Sequence, residues 1–237
     1  MTAVACCSGA FGAAGIAEAT ERIAAAGFDG VELSEAHVAA LGDGASWDRG
    51  ALVVVGARFG AVDAGDRDGL LALRRRATEL EAELATVLAA APADGAWPRA
   101  AQASAEALVA ANFAGAGPVA LELPAAGSLI DDAAAYDAFW PLTTRGRAPL
   151  AFDVPAATAA GINPNQVWRA LAARVALLRV DEELIASEAL TPWLRMAAAY
   201  AYPGAWVVRP AASGPSEQDL DGLRRHLLTR LAAASRG

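Results

Sequence analysis

Pro149-Leu-Ala-Phe-Asp153-Val-Pro-Ala-Ala-Thr-Ala-Ala-Gly-Ile-Asn-Pro164 is the stretch from which the fold can be read. A short apolar run ends in a carboxylate, a connecting segment follows, and Asn163-Pro164 opens a helical segment over Gln166–Arg174. Proline suits the first turn of a helix, where the leading N–H groups have no partner inside the helix, and asparagine ahead of it can cap them. The unit is a strand, an acidic residue at its C-terminal end, a loop and a helix.

Similar units lie on both sides. Strands are expected at Val4–Ser8, Phe28–Ser34, Ala51–Val55, Leu84–Leu88, Val119–Glu122, Leu150–Asp153, Val175–Val180 and Ala205–Arg209. Helical spacing of apolar residues places helices at Ile16–Ala26, Leu70–Glu83, Pro98–Ala111, Ala133–Leu142, Gln166–Arg174, Thr191–Tyr200 and Glu217–Ala234. Strands that alternate with helices imply a parallel sheet with right-handed crossovers. Eight such units in 237 residues match the size of a single (β/α)8 TIM barrel, an α/β fold. An open doubly wound sheet would more often carry a glycine-rich phosphate loop after its first strand, and Ser8-Gly-Ala-Phe-Gly12 does not match GxGxxG. No Pro/Gly/Ser-rich linker divides the chain, so residues 1–237 read as one TIM-barrel domain.

Composition narrows the partners. The formal charge is −8, and every basic residue is arginine. This balance argues against a nucleic acid held on a basic surface, but leaves room for a small anion held by a few local arginines. Cys6 and Cys7 are adjacent and poorly placed for an ordinary disulfide, which suggests reduced thiols. Neither a signal-peptide pattern nor an apolar run of membrane length is present. The expectation is a cytoplasmic protein with a small-molecule ligand, no nucleic-acid or membrane partner, and a homodimer left open.

Barrel enzymes place their chemistry at the C-terminal ends of the strands. Here those positions are Glu32, Glu122, Asp153, Leu178 or Arg179, Asp181 and Arg209. Glu122, Asp153 and Arg209 each end a short apolar strand; singly each reads as a cap or salt bridge, together as one polar pocket. Ser8, Glu32, Arg179 and Asp181 are candidate ligand contacts. His37, in the loop expected after the second strand, is the histidine placed to act as a general base, although a surface role is the commoner one for such a residue. His226 falls on the outer ring. Trp47, Trp97, Trp140, Trp193 and Trp206 could wall a sugar-like ligand, but core packing accounts for them as well. Arg74-Arg75-Arg76 reads as a solvated helix face.

Several of these segments resemble the xylose isomerase-like sugar isomerase/epimerase barrels, a superfamily that includes the endonuclease IV (AP endonuclease family 2) proteins. They are Gly27-Phe-Asp-Gly-Val-Glu-Leu33, Leu121-Glu122, Phe152-Asp153 with Gly161-Ile-Asn-Pro164, Arg174-Val-Ala-Leu-Leu-Arg-Val-Asp181, and Tyr202-Pro-Gly-Ala-Trp-Val-Val-Arg209. The resemblance spans most of the chain and rests on the order and spacing of these segments.

The resemblance implies a divalent metal held by Glu, Asp, His and Glu at the ends of strands five to eight, with two carboxylates moving protons beside a carbonyl. Glu122 and Asp153 match the first two ligands. The His position on strand seven falls on Leu178, or on Arg179 if the register is one residue off, and the final Glu is Arg209. A histidine that often follows the Asp is Ala156. Leucine cannot coordinate, and arginine brings a fixed positive charge. The sequence therefore predicts no cofactor, or at most weakly held Mg²⁺ or Mn²⁺, with Arg209 pairing with Glu122 and Asp153 in place of the cation. Three functions follow from the resemblance: metal-independent proton transfer on a small polyol, sugar or keto compound; a catalytically inactive pseudoenzyme that binds a ligand or protein; and a metal-dependent enzyme in another alignment.

Overall fold

The computed structural model describes residues 3–12, 15–42, 47–63, 65–91, 96–113, 118–124, 127–143, 149–211 and 214–236. Eight parallel strands close on themselves in sequence order: β1 (Val4–Cys7), β2 (Gly30–Leu33), β3 (Val53–Val62), β4 (Ala85–Ala89), β5 (Val119–Leu123), β6 (Leu150–Asp153), β7 (Val175–Asp181) and β8 (Ala205–Arg209). Pairing of β1 with β8 completes the ring. Among the described residues the helices are α1 (Ile16–Ala25), α2 (Glu35–Ala40), α3 (Arg67–Glu79), α4 (Trp97–Phe113), α5 (Ala133–Thr143), α6 (Val154–Ala159), α7 (Pro164–Leu171), α8 (Glu182–Ala186), α9 (Thr191–Ala199) and α10 (Glu217–Ala234).

Alternation along each strand separates two apolar layers. The bulkier side chains, such as Val31, Leu33, Leu121, Phe152, Leu178 and Trp206, face the helices and form the large outer core. A smaller cluster of Ala5, Val55, Leu84, Ala120, Ala151, Leu177, Ala205 and Val207 fills the barrel. Trp168, Trp193 and Trp206 are all buried in the outer core, so the tryptophans expected at positions 193 and 206 pack the shell. Gly30 is a close-approach position: a Cβ there would lie 2.6 Å from the Val53 carbonyl oxygen on β3.

Three expectations are corrected. The third strand extends to Val62 rather than ending at Val55. The strand continues past Gly56, Arg58 and Gly60 because its pairing with β4 resumes after a register shift between Arg58 and Ala61, through Ala61↔Leu88 and Val62↔Ala89. The segment after Asp153 is the short helix α6 rather than a loop, and similar one-turn helices, α2 and α8, follow β2 and β7. Each is capped by the residue at the strand end: Ser34 accepts from the His37 amide, Asp153 from that of Ala156, and Asp181 from that of Leu184. His37 therefore lies within α2, buried at 4% exposure, and not on a surface loop.

A candidate ligand site at the barrel mouth

Strand parity puts Glu32, Arg58, Thr86, Glu122, Asp153, Arg179 and Arg209 above the small apolar plug, on the inner face. Arg179 holds the centre. Its Nε donates to both Glu32 carboxylate oxygens at 2.9 and 3.0 Å, and its Nη2 donates to Glu32 Oε1, Thr86 Oγ1 and Glu122 Oε1 at 2.6, 3.0 and 2.9 Å. Arg58 Nε reaches both Glu122 oxygens at 2.9 and 3.1 Å, and its Nη2 reaches Oε2 at 3.0 Å. Nearby, Arg209 grips Asp153 through Nη1–Oδ2 at 2.6 Å and Nη2–Oδ1 at 3.1 Å.

The two sets differ in depth. Arg179, Glu32 and Glu122 are at most 3% exposed, whereas the side chains of Arg58, Arg209 and Asp153 are 33%, 29% and 14% exposed. Burial by itself would raise the Glu122 carboxyl, but Arg179 and Arg58 outweigh it and hold the pKa below its ordinary value. Burial likewise opposes the charge on Arg179, and Glu32 and Glu122 more than compensate, so its pKa is raised. Cys7 points into the barrel beside the inner plug, while Cys6 packs outward. Burial first, then the Glu32 charge, pushes the Cys7 thiol up to about 11, which keeps it protonated and a poor nucleophile at neutral pH.

The seventh strand resolves which residue faces inward. Its pairing with β6 slips between Leu150 and Ala151, so that Leu150 opposes Val175 but Ala151 opposes Leu177. The extra residue on β7 reverses the parity, turning Leu178 out to the helices and Arg179 in. The expected pairing of Arg209 with both carboxylates is corrected too: Arg209 meets Asp153, while Glu122 takes Arg58 and Arg179.

Of the remaining sequence candidates, Asp181 stands beside Arg209 in the β7–β8 register, and Ser8 and His37 pack together where β1 and β2 end. Ser8 is fully buried; its Oγ accepts from the Ser34 amide at 2.9 Å and lies 2.8 Å from His37 Nδ1. Ser34 Oγ is 3.2 Å from the same nitrogen, so His37 ties the ends of β1 and β2 together. Asp181 caps α8. Arg58 and Thr86 were missing from the sequence candidates. The signal for Thr86 was there, as the polar member of an alternating strand; that for Arg58 was hidden by the glycines on either side.

The paired carboxylates do not fit the divalent ion that the sequence resemblance implies. All six oxygens of Glu32, Glu122 and Asp153 already accept from guanidinium groups, and among the described residues no three His, Cys, Asp or Glu side chains are grouped to hold a metal.

No family model matches the sequence, and no curated relative does. Solved structures do. An L-ribulose 3-epimerase superposes over 100% of this chain and 96% of its own with a TM-score of 0.71 at 17% identity. A D-psicose 3-epimerase determined in the presence of D-fructose covers 100% of both chains with a TM-score of 0.74 at 12% identity. A xylose isomerase domain protein from Alicyclobacillus acidocaldarius covers 100% of both with a TM-score of 0.73 at 15% identity. With its closed ring of eight parallel strands and these structural neighbours, the chain has the xylose isomerase-like TIM-barrel fold.

Proposed function

We propose that this protein is an isomerase/epimerase-type barrel that moves a proton beside the carbonyl of a small sugar, polyol-derived or keto compound without a metal. The observation that carries this reading is the seating of the Arg179 guanidinium between Glu32 and Glu122, a fixed cation beside the carboxylates. Glu122 is too strongly held by Arg58 and Arg179 to work as a base near neutral pH. Asp153, at the partly open edge of the cluster, is left to take the proton. Arg209 and Arg58 then face the oxygen on which negative charge develops, where preorganised donors are most effective. The fold neighbours support the reaction class only by analogy.

The test is deuterium wash-in. Small ketoses and α-keto acids are incubated with the protein in D2O, and exchange at the carbon next to the carbonyl is followed by NMR. Exchange should survive EDTA and fall on the order of 10²-fold or more in Asp153→Asn. Asparagine can still cap α6, so the helix is retained. Exchange that EDTA abolishes, or that Asp153→Asn leaves intact, overturns the proposal. A second reading, a binding barrel without catalysis, is favoured by the double engagement of Asp153 as Arg209 partner and helix cap. Saturable ligand-induced thermal shifts with no exchange would establish that reading instead.

A further inference from the structure

We infer that the mouth selects an anionic ligand, bearing a carboxylate or a phosphate, over a neutral polyol; this rests on the assignment of the ligand site above. Donors and acceptors in the cluster are unequally used. Each oxygen of Glu32, Glu122 and Asp153 already accepts at least one N–H, and Asp153 Oδ1 also accepts from the Ala156 amide. The donors are not all spent. Among the described residues Arg179 Nη1 has no hydrogen-bond partner, although the side chain is 1% exposed. Arg58 engages Glu122 through Nε and Nη2, and Arg209 engages Asp153 through its two Nη groups. Among the described residues that leaves Arg58 Nη1 and Arg209 Nε, on side chains about one-third exposed, for a ligand.

These donors share one chemistry. A guanidinium is a planar fork of five N–H groups. Arg179 reaches across the barrel to β2, β4 and β5 with one edge, so Nη1 projects from the opposite edge. Buried N–H groups without an acceptor are rare in folded proteins and cost free energy until one arrives. Hydroxyls of a polyol bring donors as well as acceptors, and the carboxylates that could receive those donors are occupied. A carboxylate or phosphate brings acceptor oxygens alone, matched to arginine forks. The inner cluster is neutral overall, three guanidinium groups against three carboxylates, so an entering anion meets no excess negative charge there.

Binding of inorganic phosphate, glycolate and glycerol to the full chain, measured by calorimetry and thermal shift at constant ionic strength, tests this. Phosphate or glycolate should bind saturably and raise Tm, and glycerol should do neither. Phosphate alone would identify a phosphate-bearing ligand, and glycolate alone a carboxylate. Arg58→Gln should weaken the anion at least tenfold, while Arg75→Gln, on the exposed face of α3, should leave it unchanged. If Arg58→Gln disturbs folding, Arg209→Lys serves as the second variant: it keeps a cation beside Asp153, removes the Nε donor and should also weaken the anion. Glycerol binding as tightly as the anions, no binding of either anion, or anion binding indifferent to both arginine variants would overturn the inference. Proton exchange on a neutral ketose alongside any of these results would leave the proton-transfer reading standing and end this one.

Discussion

Arg179 joins residues 147, 93 and 57 positions away in the chain, and the energetics of the mouth depend most on it. Removing two carboxylates and a guanidinium from water costs several kcal/mol per ion, recovered only through close, fully bonded pairing. Arg179→Gln leaves Glu32 and Glu122 with far less compensation. The expected loss is about 3–5 kcal/mol of unfolding free energy, read from urea denaturation; a loss below about 1 kcal/mol, the scale of an exposed pair, would show that the network contributes little. Arg179→Lys should fall in between, since it keeps the charge and loses the fork. Only part of this residue's role was legible in the sequence. Arg179 stood as the alternative to Leu178 because inward parity on β7 depends on a pairing slip opposite Leu150, which the residues of β7 do not reveal. Arg58 was invisible for a different reason: Gly56 and Gly60 on either side make its segment read as the end of a strand.

At the level of elements, the units that sequence periodicity handles well are the long ones. Helices α1, α4, α9 and α10 lie close to their expected positions, because ten or so residues suffice to show a 3.6-residue repeat. The five- and six-residue helices α2, α6 and α8 are too short to show it. They begin directly on a strand end, with Ser34, Asp153 and Asp181 serving as cap. Asp181 thus has a structural role as the cap of α8. Asp181→Ala should cost about 1 kcal/mol and Asp181→Asn only a few tenths, since asparagine caps nearly as well. Thermal unfolding of the two variants distinguishes this from a binding role, which would leave stability unchanged in both.

For the molecule as a whole, the barrel was legible because its signal is repeated eight times, so an error of a few residues at one strand does not alter the count. The site was less legible because it depends on which alternate residue of each strand faces inward. Its stability should also depend on pH in a definite direction. Glu122 has a folded pKa below its unfolded value of ~4.3. Its contribution to stability is therefore fully present above the unfolded pKa and is lost as pH falls through the folded one. Stability measured by urea titration should decline on acidification below about pH 4, and Glu122→Gln, starting from a lower plateau, should show a shallower acid decline. An identical acid slope in the variant would remove Glu122 from the account.

The three arginines and three carboxylates of the cluster cancel, so the formal charge of −8 lies entirely on the rest of the molecule. The exterior is a negative coat around an electrically balanced opening. Long-range attraction cannot gather an anion towards such an opening; the mean field disfavours its approach, and the arginine forks act only at contact distance. An anionic ligand would thus be retained rather than recruited, and the mouth's geometry would govern how long it stays more than how often it arrives.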